Sequence, residues 1–156
     1  SMSYRYDNVI TRRTFSKAYG LAGARIGYGF AHDSLIQNLM KVKVPFEPSL
    51  TAQVAGLAAL DDEAFLAETL QVNEKGMDFL KQEFDALNIH QVPSEANFIT
   101  TVWDSEEKAS QLTQSLLENG VIVRQLTGFG WPNCIRISVG LDSENQKFID
   151  SLKDIL

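Results

Sequence analysis

The sequence predicts a chain of mixed α/β and α+β class, and three observations lead there. Near the start, a strand over residues 8–11, a glycine-rich loop and a second strand over 25–31 follow one another. From Leu35 to Leu87, apolar residues recur at helical spacing. From Ile89 on, strand, cap and stop signals alternate in the order β-α-β-β-α, a small layer with helices on one face of a sheet.

Asp33 or Ser34 can cap a first helix through Leu35, Ile36, Leu39 and Met40. Pro45 and Pro48 exclude a continued helix over residues 41–48, so that stretch is a connector. Ser49 opens a second helix over residues 51–60, whose small side chains allow close packing. Asp61 and Asp62 end it or begin the next helix. That helix carries Leu66, Leu70, Met77, Leu80, Phe84 and Leu87 on one stripe. Asn73 interrupts the stripe, and Gly76 weakens the helix interior by up to about 1 kcal/mol relative to Ala.

Residues 97–103 read as a strand. Asp104 with Glu107 resembles a capping box for a helix through Ala109, Leu112 and Leu116, and Gly120 stops it. A strand over 121–126, a turn-rich loop over 127–133 and a strand over 135–139 follow. Ser143 with Gln146 caps the last helix, which turns Phe148, Ile149, Leu152 and Ile155 inward. No internal repeat is visible.

A length of 156 residues admits one domain or two small ones, and 44% hydrophobic content is ordinary for a globular protein. A net charge of −6 disfavours a nucleic acid or an anionic membrane as main partner. Cys134 is the only cysteine, which fits a reducing, cytoplasmic setting. No apolar run approaches a membrane span, no signal-peptide pattern opens the chain, and Ser1 reads as an addition before a native Met2. Residues 3–7 are polar and aromatic and expected to be poorly ordered. His32 and His90 lack ligand spacing, so no metal site is expected.

Chemistry concentrates in Thr14-Phe15-Ser16-Lys17-Ala18-Tyr19-Gly20-Leu21-Ala22-Gly23-Ala24-Arg25-Ile26-Gly27-Tyr28-Gly29. Gly20 and Gly23 let the loop fold tightly, so that Lys17, Ser16 and Arg25 can face one small site. A lysine amine forms a Schiff base with a carbonyl. A hydroxyl and a guanidinium suit a phosphate. A carbonyl and a phosphate on one small molecule describe pyridoxal 5′-phosphate (PLP). Taken singly, the Ser16-Lys17 pair reads better as a surface lysine beside a glycine-rich turn.

As a whole, the segment from Arg13 to Tyr28 resembles the PLP-lysine segment of the aspartate-aminotransferase-like superfamily (fold type I), and within it the histidinol-phosphate aminotransferases. The resemblance implies that Lys17 is the Schiff-base lysine and that Ser16, Arg25 and Thr14 belong to the cofactor site. A second segment, Ile135-Arg136-Ile137-Ser138-Val139-Gly140, alternates, with Arg136 and Ser138 on the face opposite the isoleucines. Spacing alone favours an exposed Arg136 on a solvated face. The segment is similar to the one whose arginine clamps the substrate α-carboxylate, and Arg136 matches that position. By the same resemblance Arg124 lies near the distal, phosphate-bearing part of the substrate. Asn97 lies in a small-domain motif near the substrate arginine, although an amide bonded to the backbone is an equal reading.

The resemblance covers nearly all of this chain but only the C-terminal half of the family pattern. It implies residues 1–48 as a remnant of the PLP-binding large domain, 49–88 as a helical linker and 89–156 as the small α+β domain. The half not covered supplies a phosphate loop, a ring stacked on the cofactor, an Asn and the Asp that pairs with the pyridine nitrogen. No acidic residue here sits in a matching motif. The implied parent activity is amino transfer between L-histidinol phosphate and 2-oxoglutarate in histidine biosynthesis, by a homodimer, with this polypeptide inactive alone. The substrates are then an amino acid or phosphorylated amino alcohol and a 2-oxo acid. Within the same fold, an aromatic amino-acid transaminase or a PLP-dependent decarboxylase of phosphorylated amino acids is the alternative. Outside it stands a non-catalytic, self-associating module.

Overall fold

A computed structural model describes residues 5–156; the expectations placed on Ser1, Met2, Ser3 and Tyr4 lie outside the described residues. The chain divides into two compact units, residues 1–70 and 71–156.

In the first unit, β1 (Thr11–Thr14) pairs antiparallel with β2 (Gly27–Phe30), with Thr11 opposite Phe30 and Thr14 opposite Gly27. The first strand therefore begins where residues 8–11 were expected to end it. Pairing decides this, because β2 lies opposite 11–14 and leaves residues 8–10 without a ladder. Helix α1 (Asp33–Val42) is preceded by His32 as N-cap rather than Asp33 or Ser34, and His32 Nδ1 sits 3.0 Å from Ser34 Oγ. Helix α2 (Leu50–Asp61) starts as expected, with Ser49 Oγ accepting from the Ala52 N–H at 3.2 Å. Asp62 both ends α2 and caps the long helix α3 (Glu63–Ala86), its Oδ1 accepting from the Phe65 N–H at 3.0 Å. The boundary between units thus falls inside α3.

The second unit contains one antiparallel sheet in the order β3-β4-β6-β5, made of β3 (His90–Val92), β4 (Phe98–Val102), β5 (Arg124–Leu126) and β6 (Trp131–Ser138). Helix α4 (Glu106–Glu118) joins β4 to β5, and α5 (Asp142–Ile155) ends the chain. The expected β-α-β-β-α series is present, with β3 added in front. Sequence reading missed β3 because it has three residues, two of them polar, before Pro93.

Ile99, Ile135 and Ile137 form one sheet face. Met77, Leu80 and Phe84 from α3 pack on it, with Ala109, Leu112 and Leu116 from α4 and Phe148, Ile149 and Leu152 from α5. Each large side chain there contributes about 1.5–3 kcal/mol by leaving water. The expected stripe on α3 is buried at Met77, Leu80 and Phe84, whereas Leu70 is 54% exposed. Gly76 is more than a weak point in the helix. A Cβ there would clash with Val139 Cγ1 and lie 2.9 Å from Asn145 Nδ2, so its bare backbone admits the β6–α5 corner. Buried Asn145 locks that corner, accepting from the Gly140 N–H at 2.9 Å and donating to the Gly140 carbonyl at 3.0 Å.

Two further cap assignments move by one or two residues. Ser105, not Asp104, caps α4 by accepting from the Lys108 N–H at 3.2 Å. Gly120 (φ 72°) does end it, and the Leu116 carbonyl takes the Val121 N–H at 2.8 Å. That bond holds Val121 to the helix end, and ladder pairing starts only at Arg124 instead of 121. In α5, Glu144 rather than Ser143 or Gln146 satisfies the first turn, its Oε2 accepting from the Leu141 N–H at 2.8 Å.

Candidate functional site

The lysine turn is built around Phe15, which is 3% exposed. Its N–H donates to the Ile26 carbonyl at 3.3 Å, and its carbonyl accepts from the Leu21 N–H at 2.9 Å. Its ring lies 5.0 Å from Tyr19 and 5.6 Å from Tyr28, centroid to centroid. With Phe15 turned inward, its neighbour Lys17 is exposed. A tight turn follows, the Gly20 N–H donating to the Lys17 carbonyl at 2.8 Å with Gly20 at φ 68°. Helix α2 presses close because Gly56 is bare; a Cβ there would lie 2.9 Å from Ile26 Cδ1.

Thr14, Ser16 and Arg25 line one open cavity of about 440 Å³, together with Arg12, Arg13 and β2 backbone. Among the described residues, none that lines it is acidic. The Ser16 N–H donates to Thr14 Oγ1 at 3.1 Å, which orients both hydroxyl-bearing residues. Arg25 adopts a left-handed backbone (φ 52°) uncommon outside glycine, and its Nη1 donates to the Ala22 carbonyl at 2.8 Å. That conformation turns the chain from the short 3₁₀ segment Ala22–Ala24 into β2. Such strain tends to persist where geometry matters more than local comfort. Lys17 is outside the lining. Sequence reading did not assign Arg12 and Arg13 to this cavity, although the basic doublet before Thr14 was the available signal.

The second unit carries the other expected residues. Arg136 pairs with Thr100 on one side and Arg124 on the other, so the two arginines are direct cross-strand neighbours. Their row lies on the face opposite Ile135 and Ile137. Arg136 is half-buried and its Nε has no hydrogen-bond partner; its guanidinium carbon lies 5.2 Å from the centroid of the Phe98 ring. Among the described residues, the one ion pair is Lys153 with Glu83, at 2.6 Å, so neither arginine is paired with a described carboxylate. Asn97 acts through its backbone, its carbonyl accepting from the Val139 N–H at 3.0 Å. Phe98 was not singled out, because only the strand register brings it to Arg136.

His32 and His90 are exposed, and among the described residues no group of three or more metal-binding side chains gathers. No described helix is long and apolar enough to cross a membrane.

The chain is 44% identical over 149 residues to the histidinol-phosphate aminotransferase of Moorella thermoacetica, covering 96% of this chain and 38% of that protein. It is 44% identical over 153 residues to histidinol-phosphate aminotransferase 1 of Thiobacillus denitrificans, covering 97% and 39%. The fold superposes with a TM-score of 0.81 on the crystal structure of histidinol-phosphate aminotransferase from Sinorhizobium meliloti in complex with pyridoxal-5′-phosphate. That match has 30% identity and covers 96% of this chain and 42% of the other. The chain thus spans about 40% of the length of the curated relatives it matches. Residues 3–152 match the family model for aminotransferases of class I and II, and the chain belongs to that family.

Proposed function

We propose that this chain is the C-terminal portion of a PLP-dependent aminotransferase that moves an amino group between L-histidinol phosphate and 2-oxoglutarate in histidine biosynthesis. The observation that carries the reading is the convergence of Thr14, Ser16 and Arg25 on one cavity with no acidic residue among its described lining, beside an exposed Lys17. Two hydroxyls and a guanidinium form a donor set for a phosphate dianion, so the residues present fit the phosphate of PLP.

Residues 1–48 are then part of the PLP-binding large domain, 49–88 the helical linker and 89–156 the small domain. When bound, the cofactor supplies a carbonyl and a ring that takes up electrons from the substrate. Thr14, Ser16 and Arg25 hold its phosphate. Lys17 Nζ would supply the amine that holds the cofactor through its carbonyl carbon and, once displaced as a free amine by the substrate amino group, the base that moves the substrate Cα proton. Arg136 grips the α-carboxylate of the amino- or oxo-acid partner through two parallel N–H donors. Arg124, beside it in the same row, meets the distal phosphate or carboxylate. Asn97 lines the approach to Arg136. The complete enzyme is a cytoplasmic homodimer, and this chain by itself is inactive.

The test is borohydride reduction of the chain after incubation with PLP, read by peptide mass spectrometry. Substoichiometric labelling concentrated on Lys17, and absent from Lys41 and Lys43, is the expected result. Labelling spread evenly over the lysines would reject the cofactor role. Turnover of histidinol phosphate, but not phenylalanine, by a complete homologous chain checks the substrate; no turnover of histidinol phosphate removes that assignment. A second reading, a non-catalytic self-associating module, draws on exposed Phe46 (97%), Leu50, Val54 and Leu57. Light scattering decides it, since a monomer at every concentration eliminates it.

A further inference from the structure

The geometry points to Phe98 as the residue that positions the Arg136 guanidinium; its use in substrate binding rests on the proposed role of Arg136. A guanidinium has two donor edges, and bidentate capture of a carboxylate requires that one edge be presented in a fixed direction. An arginine usually gets that direction from an acidic partner. Arg136 has none among the described residues, and its Nε has no hydrogen-bond partner there.

Two contacts remain, and they act in the same sense. On the β5 side stands Arg124, directly opposite in the register, and like charges so placed repel. On the β4 side, Phe98 pairs with Ser138 while Thr100 pairs with Arg136, so the ring is the diagonal neighbour of the arginine on the same face. The guanidinium carbon lies 5.2 Å from the ring centroid, within the range where the negative π face attracts a cation. Repulsion from one strand and attraction from the other drive the guanidinium over the ring. The ring carries no hydrogen-bond acceptor oxygen, so it holds the guanidinium without the two-toothed pairing by which a carboxylate would take its N–H donors. The terminal donors therefore stay available to an anion while the plane of the group is set. A carboxylate in place of the ring would orient the arginine equally well, but would occupy the donors the substrate needs.

Nuclear magnetic resonance of the ¹⁵N-labelled chain reads the Arg136 Nε–Hε group directly. In the wild type its signal should be shifted upfield by the Phe98 ring and should exchange slowly with water. In Phe98→Leu the ring shift vanishes and exchange accelerates about tenfold or more. Affinity for 2-oxoglutarate, followed on the same signal, falls about three- to tenfold, the range a partly exposed cation–π contact supports. Phe98→Tyr, which keeps the π face, stays within about twofold of the wild type on all three measures. The Ile99 and Ile135 amide signals confirm that the sheet is intact in each variant. Should Phe98→Leu not fold, the wild-type ring shift and Phe98→Tyr still decide the matter. An unshifted wild-type signal, or unchanged exchange and affinity in a folded Phe98→Leu, overturns the proposal. A ring-shifted, slowly exchanging signal that 2-oxoglutarate does not move upholds the positioning and removes instead the reading of Arg136 as the carboxylate clamp.

Discussion

The two units share the candidate site residues, but they bury apolar side chains very unequally. Of the apolar side chains buried in the described chain, only Phe15 and Ala52 belong to residues 1–70; the rest belong to 71–156. Large exposed apolar residues show the reverse. Tyr28, Phe30, Met40, Val42, Phe46, Leu50, Val54 and Leu57 crowd the first unit, while the second exposes few beyond Ile122, Phe129 and Trp131. Charge differs as well. Residues 1–70 hold seven basic and seven acidic side chains, against seven and thirteen in 71–156, so the net −6 sits entirely in the second unit. The second unit closes a sheet with three helices over one face. The first has a two-stranded ribbon, which is marginal alone in water. Lys17 and the cavity lined by Thr14, Ser16 and Arg25 are thus carried by the less buried part, and Arg136 and Arg124 by the better packed part.

The largest effect that can test this contrast is loss of a core ring. Phe84→Ala, at a fully buried position, should cost about 3–5 kcal/mol and unfold the second unit near ambient temperature. Phe15→Ala should leave the far-ultraviolet melting of 71–156 unchanged while dispersing the amide signals of the lysine turn. If both variants melt alike, the units are not independent. Hydrogen exchange sharpens the same point: amides of Phe98–Val102 should be protected about 10³-fold more than those of Thr11–Thr14. Equal protection would mean that something outside the chain completes the first sheet.

Intermediate effects come from the two buried glycines. Gly76→Ala should cost about 1–3 kcal/mol in the urea unfolding of the second unit, since Val139 and Asn145 both stand in the way. Gly56→Ala should cost less, because a single methyl of Ile26 must give. A stabilised Gly76→Ala would show that helix propensity outweighs packing there.

The smallest effect is at the α4 cap. The Glu107 carboxyl is held below its ordinary range by its own backbone N–H and then by the Ser105 hydroxyl. A depressed folded value means that its contribution is complete above the ordinary carboxylate range and is lost as pH falls through the folded value. Ser105→Ala should cost about 1 kcal/mol near neutral pH and return Glu107 toward its ordinary titration, followed by side-chain carboxyl shifts. A Glu107 titration unchanged in Ser105→Ala would leave the backbone N–H as the whole cause.

Much of this protein follows from local chemistry, and that much was readable in sequence. Ser49 before α2, Gly120 after α4 and the Met77–Leu80–Phe84 stripe each act within a turn or two of the helix they define. The lysine segment and the Arg136 strand were singled out by their resemblance to a family, since spacing alone left Lys17 a surface lysine and Arg136 on a solvated face. What tertiary structure alone decided depends on atoms distant in sequence. The start of β1 at Thr11 is set by β2, and the delayed start of β5 by the end of α4. Gly76 changes from a helix defect to a packing requirement because Val139 arrives from the far side. Phe98 becomes the support of Arg136 because antiparallel register places residues 38 positions apart on one diagonal. Periodicity reports which face a side chain takes, but which neighbour meets it there is set by strand register, and register is a property of the whole sheet.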